Sequence, residues 1–163
     1  MKKALSRPRV LGPEAGERSG HSDYCVDRYM LDGAETEGRL AIVEHILAPH
    51  ALAAPMHIHT REDEYSYVIE GRLAAVFDGE EVVAEAGDFV FKPRGEWHTF
   101  WNPSDTTTRI LEILTPPGLE DLFRKLGDSK LDPETLPALA AQWGCELDFE
   151  ATGAIIAKHN LNF

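Results

Sequence analysis

The stretch LAAVFDGEEVVAE, residues 73–85, carries the clearest structural instruction in the chain. Two runs rich in small and β-branched residues flank Asp78-Gly79. Asp-Gly tolerates the positive φ that a two-residue hairpin turn needs at both central positions. Residues 73–77 and 81–85 are therefore expected to pair antiparallel. The pattern extends in both directions. Downstream, Ala86-Gly87-Asp88 makes a turn, residues 89–92 run into Pro93, and strands are expected at 98–102 and 109–115. Upstream, strands are expected at 65–69, at 55–59, at 40–47 before Pro49, and at 24–31 before Asp32-Gly33. Many short strands with turns between them describe an all-β antiparallel sandwich or barrel. A parallel sheet would need helical crossovers, and none is present in this region.

The last third changes period. Leu119, Leu122, Phe123 and Leu126 recur at helical spacing up to Gly127. Asp132-Pro133 opens a second helix, which runs to about Trp143 and stops at Gly144. Two helices are too few for a second domain, so they are expected to pack on the barrel and cover its mouth. The chain divides into a tail at 1–18, a barrel at 19–116 and a helical extension of the same domain at 117–163. Within the extension, residues 145–163 fit an added strand or a dimer arm. No internal repeat is present.

A net charge of −12 over 163 residues repels phosphate backbones, and no basic stripe offsets it. Nucleic acid and anionic membrane surfaces are disfavoured as partners. No apolar run approaches the roughly 18 residues that span a bilayer. The basic start, Met1-Lys2-Lys3, lacks the apolar segment of a signal peptide. Cys25 and Cys145 stand far apart, in no metal-type spacing, and are read as reduced, buried thiols of a cytoplasmic protein.

His57-Ile58-His59 alternates along a strand, so its two imidazoles share one face. Glu64 begins the next strand, and His98 begins another after Pro93-Arg94-Gly95-Glu96-Trp97. In a closed barrel these side chains converge as three imidazoles and one carboxylate. That donor set suits one divalent transition metal: Fe, Mn, Ni, Co, Cu or Zn. A lone His on a strand face is ordinarily a packed core residue. Burying three of them with a Glu and no common partner would be very costly. Strand parity places Ser66 and Val68 beside Glu64, and Phe100 and Asn102 beside His98. Ser66, Val68 and Phe100 are therefore candidates for a substrate pocket. Tyr65, Tyr67 and Trp97 have the opposite parity, while Phe89 and Phe91 share a face that parity alone does not assign. His45 reads as an ordinary strand residue within reach of the cavity, and residues 61–63 read as a wet turn.

These positions carry a resemblance. His57-x-His59, Glu64 and Gly71 resemble, in type and spacing, the first motif of the cupin superfamily. Gly87, Pro93-x-Gly95, His98 and Asn102 resemble the second. One departure is Ala51, where many members have a glycine in a turn. The resemblance implies a double-stranded β-helix, or jelly-roll barrel, that holds its metal on His57, His59, Glu64 and His98. Four further segments are similar to single-domain cupins of the quercetin 2,3-dioxygenase-like group. They are Glu37-Gly38-Arg39, the run from Pro55 to His59, Thr115-Pro116-Pro117-Gly118 with the five residues after it, and Trp143-Gly144.

That similarity implies a dioxygenase that uses O2 on an aromatic or other small organic substrate, with Glu64 as both metal ligand and general base. A cupin isomerase or decarboxylase working without O2, or a non-catalytic cupin that binds a small ligand, is also compatible with the fold. A homodimer built through strand edges is implied as well.

Overall fold

Phe77 pairs with Glu80 across Asp78 (φ 46°) and Gly79 (φ 82°), so the two-residue turn forms where Asp-Gly demands it. The computed structural model describes residues 8–128, 132 and 134–163. One antiparallel sheet holds β1 (Glu17–Ser22), β2 (Cys25–Leu31), β3 (Ala41–Leu47), β5 (Asp63–Glu70), β8 (Phe89–Lys92) and β10 (Thr108–Thr115), in the order β1-β2-β3-β10-β5-β8. The other holds β4 (Met56–His59), β6 (Arg72–Phe77), β7 (Glu80–Glu85), β9 (His98–Trp101) and β11 (Cys145–Asp148), in the order β11-β4-β9-β6-β7. From β3 onward the chain crosses back and forth between the two sheets, with only the β6–β7 hairpin staying in one, which is the jelly-roll form the resemblance implies.

The inner faces meet over Cys25, Leu47, Val68, Leu73, Ala75, Phe100 and Ile110, all buried. Each large aliphatic side chain removed from water here contributes about 1.5–3 kcal/mol. β10 shows the alternation most clearly, with Thr108, Ile110, Glu112 and Leu114 turned inward. Both cysteines are free and buried.

Two motif residues hold corners of the barrel. Gly71 has φ 78°, and a Cβ there would lie 2.6 Å from Thr108 Oγ1 and 2.9 Å from the Thr107 carbonyl oxygen. Only glycine meets both demands. Asn102 is fully buried and donates from Nδ2 to the carbonyls of Thr106 (2.7 Å) and Ala48 (2.9 Å). Its Oδ1 accepts from the Ser104 N–H at 2.9 Å, so one side chain closes a turn and ties it to the end of β3.

The C-terminal region holds three helices rather than two: α1 (Leu119–Asp128), α2 (Leu136–Gln142) and α3 (Phe149–His159). α1 packs its Leu119, Leu122, Phe123 and Leu126 face on Tyr29, Val43 and Leu114. It does not stop at Gly127. A Cβ on Gly127 would sit 2.7 Å from Ser19 Cβ, so this glycine serves close approach to β1 and not termination. α2 starts later than its proline signal; Pro133 lies outside the described residues, and the Asp132 carbonyl accepts from the N–H groups of Thr135 and Leu136. Residues 145–148 are an added strand, β11, and α3 follows it directly, capped by the Asp148 carboxylate on the Ala151 N–H at 2.9 Å. Among the described residues, no helix is long and apolar enough to cross a membrane.

Candidate metal centre

β4 and β9 are neighbours, and their register sets His57 opposite His98. Alternation along β4 brings His59 to the same inner face. Glu64 reaches the cluster from β5 in the other sheet. The imidazole centroids lie 4.6 Å (His57–His59), 4.4 Å (His57–His98) and 5.3 Å (His59–His98) apart. Glu64 Oε1 is 3.5 Å from His59 Nε2, and Oε2 is 3.2 Å from His98 Nε2. All four residues are buried, and one donor atom from each lies within 4.8 Å of the other three.

The backbone orients two of the rings. His57 Nδ1 lies 2.6 Å from the Pro55 carbonyl oxygen, and His98 Nδ1 lies 3.0 Å from that of Glu96. A carbonyl can only accept, so each Nδ1 donates, and in the neutral ring Nε2 turns a lone pair to the cluster. Burial, reinforced by His98 and His59, pushes His57 well below the usual histidine range. Burial also lowers His59, to about 4, against the pull of Glu64.

With Nδ1 of His98 donating to a carbonyl, its Nε2 in the neutral ring and the Glu64 carboxylate oxygen 3.2 Å away both accept, so that contact needs a proton or a cation between them. Both nitrogens of His59 are also buried without a hydrogen-bond partner among the described residues. A divalent transition ion bound by these four donors answers both problems at once. The residues fit the metal.

A buried lysine that sequence reading did not single out also enters the barrel. Lys92 on β8 is 1% exposed, and its Nζ lies 2.9 Å from both Glu64 Oε2 and Glu112 Oε2. Burial alone would raise the Glu64 carboxyl. Lys92, His59 and His98 outweigh that and hold it well below the usual carboxylate range. Burial pushes Glu112 upward, with Lys92 opposing. Ser66 donates to Glu112 Oε2 at 2.8 Å, and Lys92 also sits 4.3 Å over the Phe100 ring. The run Phe89-Val90-Phe91-Lys92 thus turns its charge inward and its aromatics outward, with Phe89 59% and Phe91 49% exposed.

A cavity with about 70 Å³ of water-accessible space opens above the cluster, several times what a single water needs. Its polar lining is His45, His57, His59 and Glu64, and its walls are mainly apolar. Phe100 lines it. Ser66 and Val68 share the inner face with Glu64 but sit elsewhere: Ser66 on Glu112, and Val68 in the core between the sheets. α1 contributes Leu122, Phe123 and Leu126 to the cavity, α2 contributes Leu136 and Ala140, and β11 contributes Cys145 and Leu147. The helices therefore cover the barrel mouth.

Glu62, read from the sequence as part of a wet turn, is instead buried, and burial pushes its carboxyl up to about 7. Tyr67 and Trp97 are exposed, and half-buried Tyr65 stacks on outward-facing Phe91, as their parity requires.

Comparison with known proteins agrees with this architecture. The family described as "Cupin domain" matches residues 43–114, which include all four cluster residues. Quercetin 2,3-dioxygenase of Bacillus subtilis is 29% identical over 121 residues, 74% of this chain and 35% of its own length. Tetracenomycin polyketide synthase protein TcmJ of Streptomyces glaucescens is 32% identical over 105 residues, 64% of this chain and 66% of its own. This chain thus spans only part of the curated relatives it matches. Among solved structures, KdgF from Halomonas sp. superposes with a TM-score of 0.61 at 16% identity, over 69% of this chain and 99% of that one. Such a likeness shows the fold alone. Through the domain at residues 43–114, the chain belongs to the cupin superfamily.

Proposed function

We propose that this protein is a metal-dependent dioxygenase that uses O2 on a small aromatic substrate. The observation that carries the reading is the cluster of His57, His59, Glu64 and His98, acceptor facing acceptor, at the floor of an apolar, helix-covered cavity. Similarity to a quercetin 2,3-dioxygenase over 74% of the chain supports the choice of chemistry.

When bound, a divalent ion would supply Lewis acidity and, if redox-active, an electron partner for O2. The protein's own residues have separate tasks. His57, His59 and His98 would hold the ion, the first and last through the Nε2 left free where the Pro55 and Glu96 carbonyls fix their rings. Glu64 is the fourth ligand and the proton acceptor for a substrate hydroxyl. Lys92 keeps it ionised and ready to accept, at the expense of basicity. Phe100 and the apolar residues of α1 and α2 receive the organic part of the substrate and exclude water.

The test is oxygen uptake with quercetin after reconstitution with Fe, Mn, Ni, Co, Cu or Zn in turn. Uptake is expected with at least one metal and is expected to be lost in Glu64→Gln. No uptake with any of the six would discard the dioxygenase reading and leave an O2-independent isomerase or decarboxylase, or a binding protein.

We propose in addition that the protein is a cytoplasmic homodimer, its two free, buried cysteines fitting a reducing compartment. Tyr65 stacks on Phe91 with centroids 5.1 Å apart, beside exposed Tyr67 and Phe89, and β8 is the edge of its sheet. An exposed aromatic face at an open edge is the surface a second copy would cover. Light scattering should give twice the chain mass for wild type and a single chain mass for Phe91→Glu. A monomeric wild type overturns the dimer.

A further inference from the structure

Among the described residues that line the cavity, His45 on β3 and the Cys145 thiol are the polar side chains outside the metal cluster, and His45 is the one that can carry a positive charge. Its Nδ1 lies 2.7 Å from Asp27 Oδ1 on β2, and both residues are buried. The ring is wedged between two aromatic rings of the cavity wall, with centroids 5.8 Å from Phe100 and 5.5 Å from Phe123. With Nδ1 held by the carboxylate, the ring's remaining polar atom is Nε2, and the cavity is the space this ring lines.

We infer that His45, positioned by Asp27, is an anion anchor in the cavity, donating from Nε2 to a charged oxygen of an aromatic ligand whose ring lies among Phe100 and Phe123. The ligand class is a planar aromatic carboxylate, enolate or phenolate. This deepens the proposed function, since it names a second recognition point for the same substrate. No bond is made or broken: the imidazolium donates a hydrogen bond and keeps its proton.

The contact with Asp27 makes the ring a cation, and the wall around it makes that cation selective. A carboxylate against Nδ1 stabilises the charged ring. Burial opposes protonation, but Asp27 outweighs it through charge and hydrogen bond and pushes His45 up to about 10. An apolar, water-poor wall makes a single charged donor strong and selective. The other titratable groups that act on the ring are Cys25 on β2 and Glu112 on β10.

Cys25, Asp27 and His45 also lie within metal-binding reach of one another. The direct 2.7 Å contact between His45 Nδ1 and Asp27 Oδ1 is a hydrogen bond, and an Nδ1 that donates to a carboxylate has no lone pair to give an ion.

Benzoate and its uncharged isostere benzamide are the probes, with binding measured by calorimetry on the protein as purified and after dialysis against a chelator. Benzoate is expected to bind at least about tenfold more tightly than benzamide in both forms, a factor of ten being 1.4 kcal/mol. His45→Gln and Asp27→Asn should each erase that preference, and in wild type it should fade as pH rises through about 10. Equal affinity for the two probes in wild type overturns the anchor without recourse to any variant. An unchanged preference in His45→Gln does the same.

The outcomes separate this inference from the metal reading. If no metal loads but benzoate binding depends on His45, the anchor stands and the dioxygenase reading falls. If metal loads and oxygen is consumed while benzoate ignores His45, the reverse holds.

Discussion

Lys92→Met is expected to lower the unfolding free energy by about 3–5 kcal/mol, read from urea denaturation at neutral pH. The ammonium sits 2.9 Å from each of two buried carboxylates, Glu64 and Glu112. Met keeps most of the stem volume, so packing changes little and the loss is one of charge. What remains is a pair of buried acids with no cation between them. Glu112, already pushed up by burial, is the one that takes a proton in response. Adding Glu112→Gln should therefore recover part of the loss, because it removes one of the two acids the lysine was holding. A single variant within about 1 kcal/mol of wild type would show that the cation does not hold these inner charges together.

His98→Ala is expected to cut bound transition metal from close to one equivalent per chain to about a tenth or less, measured by elemental analysis of purified protein. His98 supplies more than a donor atom. Its Nε2 lies 3.2 Å from Glu64 Oε2, and its ring is 4.4 Å from that of His57, so its removal opens the centre of the cluster. Wild-type protein without metal after growth in a mixed-metal medium would remove the metal centre from the account. Full occupancy in His98→Ala would remove His98 from the ligand set. The substitution should leave the Lys92–Glu112–Ser66 network intact, since none of those contacts involves His98. Loss of metal with a retained fold is thus the diagnostic result.

The barrel and the four-residue cluster were legible because both depend on rules of spacing. Asp78-Gly79 has one good use between two β-runs, and His57-x-His59 on a strand can only face one way. Side chains that break the usual rule of burial were not legible. In Phe89-Val90-Phe91-Lys92, hydrophobicity would put the aromatics inside, yet Lys92 is inside and the aromatics are out. Parity pairs Lys92 with Val90, and only the two carboxylates on β5 and β10 of the same sheet, Glu64 and Glu112, decide which face is inner. Glu112 is hidden for the same reason, in an otherwise apolar strand.

His45 looked ordinary because its partner Asp27 lies on a different strand, 18 residues earlier. α3 was missed because Gly153 and a run of mixed small residues blur its period, although Asp148 three residues before Ala151 is a readable cap. Gly127 misled in the opposite direction, since a glycine that ends a helix and one that admits a neighbouring strand look alike in sequence.

β11 borders the cavity through Cys145 and Leu147 and is also hydrogen-bonded along β4, with Cys145 opposite His59 and Leu147 opposite His57. Wall and floor are therefore a single mechanical piece. Peeling β11 away to admit a ligand would drag the strand that carries two of the four metal donors. A route of entry that spares the centre has to run past the side chains of α1 and α2 instead, such as Phe123, Leu126 and Leu136, which can change rotamer without moving a ladder bond. The traffic of small molecules and the rigidity of the metal site are thereby assigned to different parts of the chain.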